Sequence, residues 1–169
     1  VGESLQDHLQ IRTVFRIAGA RTLNDLNASL TGRLRIAAEY ALRRSGPMSM
    51  APSQLGIFTR SSPEQETANI EYHVQPLSLD AFGQPLHRHP ALTVSVCNLR
   101  PRSRGSCHIR SGDPLAAPEI RPNYLSDPAD RAVAVDSIRH ARRLMQAATL
   151  RKYAPQETLP GPDLTSDDE

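Results

Sequence analysis

Hydrophobic and polar residues alternate along several short stretches of the chain. From Leu9 to Ile17, the residues Leu9, Ile11, Thr13, Phe15 and Ile17 alternate with Gln10, Arg12, Val14 and Arg16. A period of two is the mark of a half-buried strand, so Leu9–Ile17 is predicted to be one. The same pattern recurs over Asn69–Gln75, where Ile70, Tyr72 and Val74 oppose Glu71, His73 and Gln75. Ser53–Arg60 reads as a further strand. Leu92–Asn98 is a nearly continuous apolar run and predicts a buried strand. Ser106–Ser111 alternates Cys107 and Ile109 with polar neighbours and predicts a short fifth strand.

Two stretches have helical spacing instead. Asn24 or Asn27 is a candidate cap for a helix running to about Arg44, with Leu30, Leu34, Ala37 or Ala38, and Ala41 as its apolar stripe. Ser45-Gly46-Pro47 ends it. Asp127-Pro128 places a capping carboxylate before a proline suited to the first turn, and predicts a helix from Pro128 to about Gln146. Ala134 or Val135, Ile138, Ala141, and Leu144 or Met145 form its stripe. Tyr153–Pro162 reads as an extended tail. Leu164–Glu169 reads as a helix start, a hydroxyl cap followed by acids. The fold class predicted is α+β, an antiparallel sheet of about five or six strands with helices packed on one face.

Composition narrows the picture. The chain has 169 residues, long enough for one domain with its own core. Its 14 prolines argue for a loop-rich fold rather than a helical bundle. The net charge of +2 gives no reason to expect nucleic acid as a partner. Arg100, Arg102, Arg104 and Arg110 crowd one turn, but no aromatic residues are interleaved with them, and an exposed turn is expected. No run approaches the roughly 20 apolar residues of a membrane span, and no secretory signal is visible, so a cytoplasmic protein is expected. Cys97 and Cys107 flank the turn at Arg102. A hairpin there, shifted by one residue, pairs Val94 and Val96 with Cys107 and Ile109 and predicts two reduced thiols. Without close histidines, the cysteines lack the spacing of a zinc site. His87 and His89 lie between Pro85 and Pro90 in an expected loop, and no metal is expected there.

The stretch Asn98–Pro128 (NLRPRSRGSCHIRSGDPLAAPEIRPNYLSDP) is the most distinctive. Ser103-Arg104-Gly105, Ser111, Asp113-Pro114, Pro118, Ile120 and Asn123-Tyr124-Leu125, in this order and spacing, resemble the glucose–methanol–choline (GMC) flavin oxidoreductases. The opening VGESLQDHLQ resembles the same family's VGxNLQDH segment, with Ser4 where asparagine is usual. The similarity runs over nearly the whole chain and points to bacterial alcohol or choline dehydrogenases. Asp7 and His8 lie side by side in that opening. Read from the residues, they are a turn carboxylate and a histidine bonded to backbone rather than a catalytic pair.

The resemblance implies that residues 1–169 are a substrate-binding domain. The FAD-binding portion is expected before residue 1, and the catalytic-histidine segment after residue 169. No GxGxxG fingerprint occurs in the chain. The parent enzyme is expected to oxidise a primary alcohol to an aldehyde, with hydride passing to FAD. By itself the chain is expected to bind no FAD tightly and to be inactive. Its expected partners are a small alcohol and the flavin-binding remainder of the same chain. No catalytic residue, cofactor-binding residue or metal ligand is expected within it.

Three residues are candidates for substrate binding. The family's matching strand points a histidine into the pocket, and His73 falls on that position; read from the residues alone, Glu71, His73 and Gln75 are a solvent-facing polar row. Gln75 shares that face. In choline-handling relatives a glutamate faces the cationic substrate, and an alignment through Gly46 and Phe58 puts Gln54 there. A neutral amide does not offset a buried ammonium, which implies a neutral alcohol; the plain alternative is an ordinary strand glutamine. The competing functional expectation is a non-catalytic small-molecule-binding module.

Overall fold

The computed structural model describes residues 1–51, 53–81 and 83–167. Five strands form the main sheet: β2 (Gln10–Arg16), β3 (Leu55–Thr59), β4 (Ile70–Gln75), β5 (Ala91–Asn98) and β8 (Gln156–Leu159), in the order β3-β4-β5-β2-β8. A smaller sheet joins β1 (Glu3–Leu5), β6 (Gly105–His108) and β7 (Glu119–Arg121), in the order β1-β6-β7. Every pairing between these strands is antiparallel. The helices are α1 (Leu23–Ala28), α2 (Leu30–Arg43), α3 (Pro128–Met145) and α4 (Ala148–Arg151). The fold is α+β, a five-stranded antiparallel sheet with helices packed against it.

The core follows from the alternation. Phe15, Ile70, Tyr72, Val94 and Val96 share one face and meet Ala141 and Met145 of α3; Ile11, Ile57, Leu92 and Leu150 of α4 pack around them. Burying these side chains, each worth about 1.5–3 kcal/mol, is the main force holding α3 to the sheet. The buried line of α3 runs through Asp130, Ser137, Ala141 and Met145, with Val133 beside it. That line shares Ala141 and Met145 with the expected apolar stripe and departs from it at Ile138, where Ser137 is buried instead. Two of its members are polar and are buried because they are bonded. Asp130 accepts from the Arg102 and Ser103 amides, and Ser137 Oγ donates to the Val133 carbonyl at 2.6 Å while its own carbonyl accepts from Tyr72 Oη at 2.8 Å. The cap of α3 is as expected, with Asp127 Oδ1 accepting from the Ala129 amide at 2.8 Å.

Other expectations are corrected. The helix expected to run unbroken to Arg44 is two helices. Thr22 caps α1, its amide donating to Asp25 at 2.9 Å, and Ser29 caps α2, accepting from the Gly32 amide at 3.0 Å. Gly32 allows the sharp join, because a Cβ there would lie 1.9 Å from the Leu26 carbonyl oxygen. The predicted stripe of α2 is on the outside: Leu30 is 72% and Leu34 61% exposed. The hairpin between β5 and β6 does not form. β2 and β4 satisfy both edges of β5, and β6 pairs with β1 and β7. The short strand stops at His108, and Ile109 is 89% exposed. Cys97 and Cys107 are both free thiols. The expected tail contributes β8, an edge strand clamped to α3 by Arg142, whose Nε and Nη2 lie 2.8 and 2.9 Å from the Glu157 carboxylate. Residues 161–167 form turns and bends rather than a helix, and 168–169 lie outside the described residues. No helix among the described residues is long and apolar enough to cross a membrane.

Candidate functional site

The second face of the main sheet is mixed, with Arg12, Glu71, His73, Gln75, Thr93 and Ser95 beside Val14, Phe58 and Ala91, and it is only partly covered. The loop between β4 and β5 folds back over one end of it. Thr93 Oγ1 donates to the Leu77 carbonyl at 2.7 Å, and the Arg12 guanidinium donates to the Leu79 and Asp80 carbonyls at 2.7 and 3.1 Å. The loop is itself clasped by Asn24 of α1, which donates to the Ser78 and His87 carbonyls and accepts from the Ser78 amide. Within the clasp His87 bridges Ser78 Oγ at 2.9 Å and Asp80 Oδ1 at 3.0 Å. Serine, histidine and acid thus line up as in a hydrolase, but Ser78 is fully buried beneath Asn24, so no substrate carbonyl reaches it. The row holds the loop. His87 and His89 stack on each other at 5.1 Å between ring centroids, and burial and the neighbouring His87 hold His89 below the usual imidazole range.

The uncovered part of this face centres on β4. Tyr72 points to α3, so its neighbours Glu71 and His73 point the other way. Their side chains are 20% and 29% exposed, and His73 Nε2 lies 3.6 Å from Glu71 Oε1. Across the ladders, His73 is opposite Gly56 on β3 and Ser95 on β5. Gly56 itself puts no side chain beside the imidazole; a Cβ there would lie 3.9 Å from both the Glu71 carboxylate and the Phe58 ring. Gln75 shares the face, and its amide donates to Ser53 Oγ at 3.2 Å. Gln54 precedes β3. Its side chain is exposed and its backbone amide donates to the Val74 carbonyl at 3.0 Å, so the strand pairing holds Gln54 at the same end of the sheet as Gln75.

Cys97 was not legible as a neighbour of this group. The register sets it directly across from Glu71, and Glu71, His73 and Cys97 bring a carboxylate oxygen, an imidazole nitrogen and a sulfur within 4.8 Å of one another. The expectation that the cysteines lack a close histidine is corrected here. Burial pushes the Cys97 thiol up, and the Glu71 charge adds to this.

Ser103, Gly105, Asn123 and Tyr124 of the Asn98–Pro128 motif hold the architecture. Ser103 Oγ donates to Asp130 at 2.6 Å and accepts from the Asp127 amide at 3.2 Å. Gly105 is required because a Cβ there would lie 2.0 Å from the Arg121 carbonyl oxygen. Asn123 donates to the Arg104 carbonyl at 3.0 Å, and Tyr124 donates to Asp7. His8 bonds the Leu99 carbonyl at 3.1 Å, so Asp7 and His8 serve separate partners. None of the named strand pairs makes the parallel crevice that a dinucleotide occupies.

The family profile described as GMC oxidoreductase matches residues 101–169. Over its whole length the chain is 35% identical to an alcohol dehydrogenase [acceptor] of Pseudomonas putida, of which it covers 31%. It is 30% identical, again over its whole length, to an oxygen-dependent choline dehydrogenase of Chromohalobacter salexigens, of which it covers 30%. The chain thus spans about a third of the length of these curated relatives. A formate oxidase variant of Aspergillus oryzae RIB40 superposes with a TM-score of 0.86 at 22% identity, over 99% of this chain and 34% of the other. An FAD-dependent oxidoreductase of Chaetomium thermophilum superposes at 0.78 with 20% identity, over 99% of this chain and 35% of the other. These two likenesses concern the fold.

Proposed function

Because this chain belongs to the GMC oxidoreductase superfamily, we propose that it forms the substrate-binding part of an FAD-dependent oxidoreductase acting on the CH–OH group of a primary alcohol. FAD, held by other residues of the parent protein, would supply the hydride acceptor. This chain's own residues would bind and orient the alcohol. His73 would hydrogen-bond the hydroxyl oxygen, and Gln75 and Gln54 would line the same wall. Gln54 carries no charge, so the substrate is a neutral alcohol rather than choline.

The observation that carries this reading is the orientation of His73. It lies on the sheet face turned away from α3, half-buried, with Gly56 as its neighbour on one side. Such an imidazole is fixed by its strand and still reachable by a small molecule. The test is dye-linked oxidation of neutral primary alcohols by the flavin-loaded protein containing this chain. His73→Ala is expected to lower kcat/KM by about 100-fold with flavin content unchanged. Unchanged kcat/KM in that variant, or no turnover of any primary alcohol by the unsubstituted protein, would overturn it.

A further inference from the structure

We propose that Glu71, His73 and Cys97 form a three-donor site for one borderline divalent cation of the Zn2+ class. The donors are one carboxylate oxygen, one imidazole nitrogen and one sulfur, all within 4.8 Å of one another. They converge because residues 71 and 73 share a face of β4, and Cys97 of β5 is paired directly with residue 71. The backbone under all three is locked in adjacent sheet ladders, so only side-chain rotations separate this arrangement from a closed shell. In a tetrahedral zinc shell, with bonds of about 2.0–2.3 Å, donors stand roughly 3–4 Å apart. The His73–Glu71 separation of 3.6 Å already lies in that range.

The donor set selects the ion. Mg2+ and Ca2+ demand oxygen ligands and have no use for sulfur, whereas a mixed S, N, O shell suits Zn2+, Co2+ and Cd2+. Cys97 is buried at the base, and Glu71 and His73 are partly exposed above it. The cation therefore enters from the open side and keeps a fourth position for water. Cys97 binds as the thiolate, and its proton leaves to solvent.

Occupancy engages the imidazole that the proposed function assigns to the alcohol. Metal and alcohol then exclude each other, and added Zn2+ inhibits turnover. That consequence rests on the proposed function; the site itself does not.

The test is titration of the purified protein with Co2+ as probe, read by difference absorption. The expected result is one equivalent bound, with a thiolate-to-Co2+ charge-transfer band and tetrahedral bands to the long-wavelength side of any flavin absorption, all displaced by Zn2+. The charge-transfer band is lost in Cys97→Ser and retained in Cys107→Ser. Glu71→Gln raises the Kd for Co2+ roughly tenfold or more, and this more exposed position decides the matter should Cys97→Ser fail to fold. Absence of the band in the unsubstituted protein, its persistence in Cys97→Ser, or an unchanged Kd in Glu71→Gln would overturn the proposal. The two readings fail separately: a Co2+ band without alcohol turnover removes the proposed function alone, and turnover without a band removes the metal site alone.

Discussion

Ser103 and Asp130 are joined by a 2.6 Å hydrogen bond that ties the most distinctive turn of the sequence to the first turn of α3. Asp130 Oδ2 also accepts from the Arg102 and Ser103 amides at 3.0 and 2.7 Å, and Oδ1 from Asn98 at 3.2 Å. One buried carboxylate thus anchors the end of β5, the turn and the helix. Asp130→Ala would leave these donors without their acceptor and is expected to destabilise the protein by about 3 kcal/mol or more, read by denaturant unfolding. Burial raises the pKa of Asp130, but the Ser103 hydroxyl and the two amides outweigh it, and the net direction is downward. The sign follows: this stabilisation is full above the ordinary carboxylate pKa of 3.8 and is lost as pH falls below it toward the depressed folded value. Asp130→Asn should be less stable at pH 7 and lose less of its stability on acidification.

A second pH effect has its origin further along α3. Tyr72 Oη donates to the Ser137 carbonyl and accepts from His140 Nδ1 at 3.0 Å, with the two rings stacked at 5.5 Å. Burial, with Arg143 adding to it, holds His140 below its ordinary pKa of 6.5. The unfolded chain therefore takes up the proton first, and stability is predicted to fall as pH drops through about 6.5. His89, shifted the same way, adds to the slope. His140→Gln should flatten the Tm profile between roughly pH 7.5 and 5.5, and an unchanged slope would rule His140 out as its source. Tyr72→Phe should cost about 1 kcal/mol, through the lost hydroxyl bonds.

Charge at Gln54 is the expected determinant of substrate class. Gln54→Glu in the flavin-loaded protein is predicted to raise the ratio of choline to neutral-alcohol kcat/KM by about tenfold or more, because a carboxylate offsets an ammonium and an amide does not. An unchanged ratio would detach Gln54 from the pocket wall.

Much of the fold was legible because period-two alternation is local. Ile70, Tyr72 and Val74 announce a strand whatever surrounds them, and their neighbour His73 must then face the other way. What local pattern does not carry is partnership. Nothing near Cys97 in sequence says that β4, rather than β6, lies beside it; that depends on which strands compete for β5. Polar burial was hidden for a related reason. Ala141 and Met145 of the expected α3 stripe are buried, but Ser137 and Asp130 take the place of Ile138 because the Val133 carbonyl and the Ser103 turn satisfy their polar atoms. β8 was masked by its flanking prolines, and its clamp, Arg142 to Glu157, joins a helix to an edge strand 15 positions away. Among the candidate site residues, sharing a face was predictable for His73 and Gln75. The convergence of Glu71, His73 and Cys97 was not.

The most direct measurement is a crystal structure of the flavin-loaded protein with an unreactive primary-alcohol analogue. A ligand hydroxyl within hydrogen-bonding distance of His73 Nε2, on the sheet face away from α3, is the predicted result. A ligand bound elsewhere, with His73 facing bulk water or sealed beneath protein that leaves no room for an alcohol, would contradict it.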